Sequence, residues 1–159
     1  ITEEDINMNQ DQVPQEASAS RIRILKNILW QARDLKEQQL KRIKNDIESV
    51  IKEKEAYTEE LKELQSHKQH IEKSKCDSSD CEIAYDEILE EISELENHLN
   101  NVQKAFEVLK LCLYEAKTEY RLEDNETLME WFPHEIKAIQ DELDFKIHNL
   151  IYDISIVMD

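Results

Sequence analysis

From Tyr85 to Tyr120 apolar side chains return at steps of three and four without a miss: Tyr85, Ile88, Ile92, Leu95, Leu99, Val102, Phe106, Leu109, Leu113, Ala116, Tyr120. Such a seam, with a at Tyr85 and d at Ile88, describes a long helix that buries a narrow stripe against another helix. A second seam precedes it. Between Arg21 and Ser74 there is neither proline nor glycine, enough chain for about 80 Å of helix. The first turns carry Ile22, Leu25, Leu29 and Ala32 on one face. The heptads then run Leu40, Ile43, Ile47, Val50, Lys54, Tyr57, Leu61, Leu64, Lys68, Ile71. Lys54 and Lys68 interrupt the apolar order. A lysine there lowers stability, although its stem can lie along the seam while its ammonium reaches water.

Cys76-Asp77-Ser78-Ser79-Asp80-Cys81 breaks the pattern, and Ser79 or Asp80 is suited to cap a new helix. The heptad phase also changes across it. Ile71 is a d position, so an unbroken helix would make Tyr85 a d, whereas its three-residue step to Ile88 makes it an a. A hairpin removes this conflict, because a layers face d layers in an antiparallel pair. Folding near residue 78 sets Ile71 against Tyr85, Leu64 against Ile92, Leu61 against Leu95, Tyr57 against Leu99, Val50 against Phe106, Ile47 against Leu109 and Ile43 against Leu113.

The flanks differ in character. Residues 1–20 are polar and aperiodic, with Pro14, and read as a flexible acidic tail; Ser18 or Ser20 would cap a helix starting near Arg21. After Tyr120, residues 121–125 read as a turn in which Asn125 caps a short segment, Glu126 to Phe132. Pro133 suits the first turn of a last helix, with Glu135 favourable near its N-terminus. That helix shows Ile136, Ile139, Leu143, Ile147, Leu150, Ile154 and Val157. Phe145, Ile151 and Ile156 make its apolar face wider than a two-stranded seam needs, which predicts packing at a three- or four-helix junction or against a partner. The expected organisation is thus all-α. A tail (1–20) precedes a long antiparallel coiled-coil hairpin (21–120, helices 21–74 and 81–120, bend 75–80) and a turn with a C-terminal helical segment (121–159).

Composition sharpens this. The 159 residues include no glycine, so left-handed turns and phosphate-cradling loops are hard to build. Charged residues make up 36% and aromatics 6%, which favours narrow buried stripes over a thick core. A formal net charge of −17 argues against nucleic acid and anionic membranes as partners of the whole chain. The charge is uneven. Residues 21–75 hold 14 bases and 10 acids, whereas Glu82 to Glu96 holds seven acids and no base. In the hairpin register these blocks do not neutralise each other, so the acidic block is either a solvated face or a determinant of partner choice. With no signal-peptide pattern and no long apolar run, the expectation is an intracellular protein, nuclear or cytoplasmic. The opening isoleucine suggests a fragment of something longer.

Candidate chemistry is sparse. His67, His70, Cys76 and Cys81 are the one cluster of metal-ligand types, but their spacing matches no standard zinc pattern, so no metal or other cofactor is expected. A disulfide across the bend is not expected in a reducing compartment. Cys112 adjoins the seam and reads as packing. Adjacent acids such as Glu90-Glu91 point different ways on a helix and make no carboxylate pair. No enzyme and no small-molecule substrate are expected. The densest apolar run, Leu128, Met129, Trp131 and Phe132, is a candidate protein interface together with Ile147 and Ile151; the alternative is that the run plugs the hairpin's end.

These features point to a structural subunit that assembles with other coiled-coil or helical proteins as a hetero-oligomer. In texture the chain is similar to coiled-coil subunits of kinetochores, spindle poles and vesicle tethers, with a kinetochore-type scaffold preferred. The alternative is a helical adaptor or exchange-factor-like module that binds a regulatory protein such as a GTPase. It predicts exposed apolar residues off the seam, midway along the hairpin.

Overall fold

The computed structural model describes residues 15–74 and 78–159. They form four α-helices and no strand: α1 (Gln15–Ser74), α2 (Ser79–Thr118), α3 (Glu126–Trp131) and α4 (Pro133–Met158), with a 3-10 turn at Leu122–Asp124 before α3. The protein is all-α, built on a long antiparallel helical hairpin with a C-terminal helix. The two seams became helices because each offers an unbroken apolar stripe and no proline or glycine interrupts either.

Helix ends differ from expectation in ways that local chemistry explains. α1 starts at Gln15 rather than near Arg21. Helix-favouring Glu16, Ala17 and Ala19 continue the helix although no apolar period extends there, and Pro14 stands immediately before it. Residues 1–14 of the expected tail lie outside the described residues. α2 is capped by Ser78, not Ser79 or Asp80. Its Oγ accepts from the Cys81 amide at 3.2 Å, and its carbonyl accepts from the Glu82 amide at 3.2 Å. Asp80 and Glu82 then lie in the first turn, where negative charge suits the helix dipole. Asn125 caps α3 as the sequence predicts, its side chain accepting from the Leu128 amide at 3.0 Å.

Two compact units divide the described chain. The first joins α1 up to Lys41 with Glu115–His148; the second joins Arg42–Tyr114 with Asn149–Asp159. In the second unit the hairpin register follows the heptads. The Tyr57 ring stacks on His98, with centroids 5.0 Å apart, one position from the expected Leu99. Near the bend the Tyr85 hydroxyl donates to Glu72 at 2.9 Å, one position from Ile71. Ile43, Ile47, Ile92, Leu95, Val102, Phe106 and Leu113 are buried, whereas Leu61, Leu64, Ile71, Tyr85 and Ile88 nearer the bend are only half-buried. A two-helix seam leaves its residues partly wet, and complete burial needs further cover. Leu150 and Ile154 of α4 are buried in this unit, consistent with that cover.

The first unit is a helical junction. Leu25, Leu29 and Leu40 of α1, Ala116 of α2, Leu122 of the turn, Leu128 and Phe132 around α3, and Ile136, Leu143 and Ile147 of α4 are buried there. The wide apolar face read on α4 is only partly used, since Phe145 is 65% and Ile156 54% exposed.

Candidate protein-interaction surface

The interface residues read from the sequence are mostly interior. Leu128 is 1%, Phe132 6% and Ile147 3% exposed, and Met129, Trp131 and Ile151 are half-buried. The Leu128–Phe132 run therefore plugs the junction. The cause is local: capping at Asn125 starts a short helix that turns Leu128 inward, and Pro133 follows its six residues.

What holds this end together is a polar network that sequence reading did not identify. The Arg121 guanidinium makes two hydrogen bonds to the Asp144 carboxylate, at 3.2 and 3.1 Å, and a third to Glu123 at 2.7 Å. It also donates to the Lys117 carbonyl at 2.8 Å. Asp144 accepts from the Gln140 amide at 3.1 Å, while the oxygen of that buried amide accepts from the Leu122 backbone N–H at 3.1 Å. Fork-to-carboxylate geometry fixes direction as well as distance, so the turn is pinned to α4. Hydrogen bonds to Asp144 and Glu123 hold Arg121 charged even further above the usual guanidinium range.

The end of α2 is satisfied by cations. Lys36 donates to the carbonyls of Ala116 at 3.0 Å and Glu119. Burial lowers its pKa, and Glu119 opposes that shift. Its ammonium also lies 5.8 Å from the ring centroid of Tyr120, which takes the left-handed conformation at φ 54°. In the second unit, seam residue Lys54 donates to the Val157 carbonyl in the last turn of α4. The lysine that broke the heptad pattern thus has a hydrogen-bonding partner.

Two tryptophans sit in the first unit with cations over their faces: Arg33 over Trp30 at 4.2 Å and Arg21 over Trp131 at 5.6 Å. The Trp131 indole N–H and the Arg33 Nε are enclosed without an acceptor.

Among the described residues the metal-ligand candidates form no metal-binding cluster. His67 and His70 are exposed, Cys76 lies outside the described residues, and Cys81 is disulfide-bonded, contrary to the expectation of a free thiol. Cys112 is free and half-buried. No group of three or more His, Cys, Asp or Glu side chains suited to a metal ion occurs among the described residues. No described helix is long and apolar enough to cross a membrane.

The surface itself carries the remaining signal. Every acid of the Glu82–Glu96 block is exposed. Large apolar side chains are exposed in groups. On α1 these are Ile24, Ile28 and Leu35; on α2, Val108 and Leu111; on α4, Phe145 in the first unit, and Tyr152 and Ile156 in the second. A shallow recess of about 430 Å³, lined by Ile51, Lys54, Glu55, Thr58, Glu59 and Val157, holds no cluster of reactive groups. Neither a family model, a curated protein nor a solved structure matches this chain.

Proposed function

We propose that this protein is a non-enzymatic scaffold subunit that presents the outer faces of a helical hairpin to other helical proteins. The supporting observation is the repeated exposure of large apolar side chains on helices that already bury another face, as with Ile24, Ile28 and Leu35 beside the buried Leu25, Leu29 and Leu40. Exposed apolar groupings on a charged surface mark protein contacts more often than chance. A kinetochore-type assembly is the preferred setting, on the texture of the chain alone. Light scattering after size exclusion, with cross-linking mass spectrometry of the native assembly, tests the proposal. The expected result is a stable hetero-oligomer cross-linked along α1. A compact monomer with no stable partner overturns it.

A second reading, an adaptor for a regulatory protein such as a GTPase, is favoured by Val108 and Leu111. They are 57% and 62% exposed, off the seam of α2. It predicts that Leu111→Asp abolishes partner binding while changes on α1 do not.

A further inference from the structure

The first stretch of α1 carries two seams. One is the buried row Leu25, Leu29, Leu40. The other is Ile24, Ile28, Gln31, Leu35, Gln38, at steps of four, three, four and three, and every member is exposed. Leu35 is 65%, Ile24 59% and Ile28 43% exposed. A row of this spacing is what a second helix needs to lie along α1.

Charge selects the kind of helix. Of the six bases between Arg21 and Lys41, Arg21, Arg33 and Lys36 are engaged within the chain, whereas Arg23, Lys26 and Lys41 stand exposed, in a chain of formal net charge −17. Arg23 and Lys41 are exposed and, five turns apart, border the same edge of the row. Asp34 on that edge is already paired with Arg33 at 3.3 Å. A second copy of this chain is a poor occupant through this same row or through its acidic block. Like pairing would set Arg23 and Lys41 against themselves, and Ile83 and Leu89, the exposed apolar residues of the acidic block, lie six positions apart on different faces of α2. An anionic membrane is also a poor fit, because Gln31 and Gln38 alternate with the apolar residues, leaving a row one residue wide where a surface-bound helix needs a broad apolar face.

We infer that the Ile24–Ile28–Leu35 row of α1 is a docking seam for an acidic amphipathic helix of another protein. This deepens the scaffold reading, on which it rests, by naming the chemistry of one partner. Apolar side chains from the incoming helix cover Ile24, Ile28 and Leu35, its polar seam positions meet Gln31 and Gln38, and its carboxylates face Arg23 and Lys41.

The test uses the full chain and two synthetic helical peptides with leucine at every a and d position. One has glutamate at every e and g, the other lysine, so neither pairs readily with itself. Fluorescence anisotropy is expected to show the acidic peptide binding at least about tenfold more tightly than the basic one, and weakening as salt is raised. Ile28→Asp with Leu35→Asp should remove that binding while circular dichroism and the melting curve stay unchanged. Arg23→Glu with Lys41→Glu should transfer the preference to the basic peptide. Equal binding of both peptides, binding of neither, or binding that survives the double aspartate variant overturns the inference. So does sedimentation with phosphatidylserine vesicles in place of peptide binding. If the peptides fail but the native hetero-oligomer still forms, the scaffold reading stands and only this seam falls. If the chain enters no hetero-oligomer, the scaffold reading falls independently of the peptide result.

Discussion

Asp144→Ala is the most informative single change for the junction. It removes both acceptors from the Arg121 fork and the acceptor of the Gln140 amide. The Arg121 and Asp144 side chains are 23% and 28% exposed, so the pair lies between surface and interior. Exposed pairs contribute less than about 1 kcal/mol, and removing one member of a buried pair costs about 3–5 kcal/mol. An intermediate value of about 2 kcal/mol is appropriate for the pair, with about 1 kcal/mol more for the orphaned Gln140 donor. Urea unfolding followed by circular dichroism should therefore show a loss of about 3 kcal/mol for Asp144→Ala. A double-mutant cycle with Arg121→Met isolates the pair and should give a coupling of about 2 kcal/mol, reduced by salt. Hydrogen exchange adds a local readout. The Leu122 amide, which donates to Gln140, should exchange faster in Asp144→Ala, while amides near Val102 do not change. A coupling within about 0.3–0.5 kcal/mol of zero, the scatter of non-interacting sites, refutes the claim that this pair pins the turn.

Other changes follow from the same contacts. Phe106→Ala, at a fully buried seam position, should cost about 3–5 kcal/mol in chemical denaturation. Asn125→Ala should cost about 1 kcal/mol by removing the α3 cap, with Asn125→Asp recovering most of it. Trp131→Phe removes an enclosed N–H that has no acceptor and should stay within about 1 kcal/mol of wild type. Lys36 gives a pH signature. Burial holds its folded-state pKa below the ordinary 10.5, so between the two values the unfolded chain binds more protons and this residue's contribution rises with pH. The stability of wild type relative to Lys36→Met should therefore increase as pH climbs toward 10.5; a flat difference refutes the burial argument.

The hairpin was legible because its signal is a long count. Seven predicted layers share one register, and the Tyr57–His98 stack and the Tyr85–Glu72 hydrogen bond fall within one position of it. The phase change between Ile71 and Tyr85 was equally informative, since a continuous helix cannot absorb it without distortion. The junction was legible in part, since a three- or four-helix packing of the last helix and a plugging Leu128–Phe132 run were among the readings, but neither was decided by the pattern. Leu128, Phe132 and Ile147 have the composition of an interface, and only burial separates an anchor on the outside from a plug on the inside. The Arg121–Asp144–Gln140 network joins residues about twenty positions apart, and no period relates them. The exposed row Ile24, Ile28, Leu35 was present in the sequence but interleaved with Leu25, Leu29 and Leu40. Sequence reading took up one face, Ile22, Leu25, Leu29 and Ala32, and passed over the row offset from it by one residue.

The absence of glycine bears on how the helix ends are satisfied. Helices commonly end on a left-handed residue, and glycine adopts that conformation at least cost. Here the left-handed position after α2 falls to Tyr120, at φ 54°, which carries a steric penalty of about 1–2 kcal/mol for a residue with a Cβ. Of the carbonyls that a glycine turn would satisfy, Ala116 and Glu119 are bonded from a distance by Lys36, and Lys117 by the side chain of Arg121, four residues on. Lys54 does the same for Val157. Bases placed in or beside apolar seams thus serve helix ends contributed by other parts of the chain, where positive charge also suits the dipole. A lysine in a heptad core is therefore not only a cost to the seam. Lys36 and Lys54 each mark where another helix terminates, which makes these two residues topological information that a single-helix reading counts as noise.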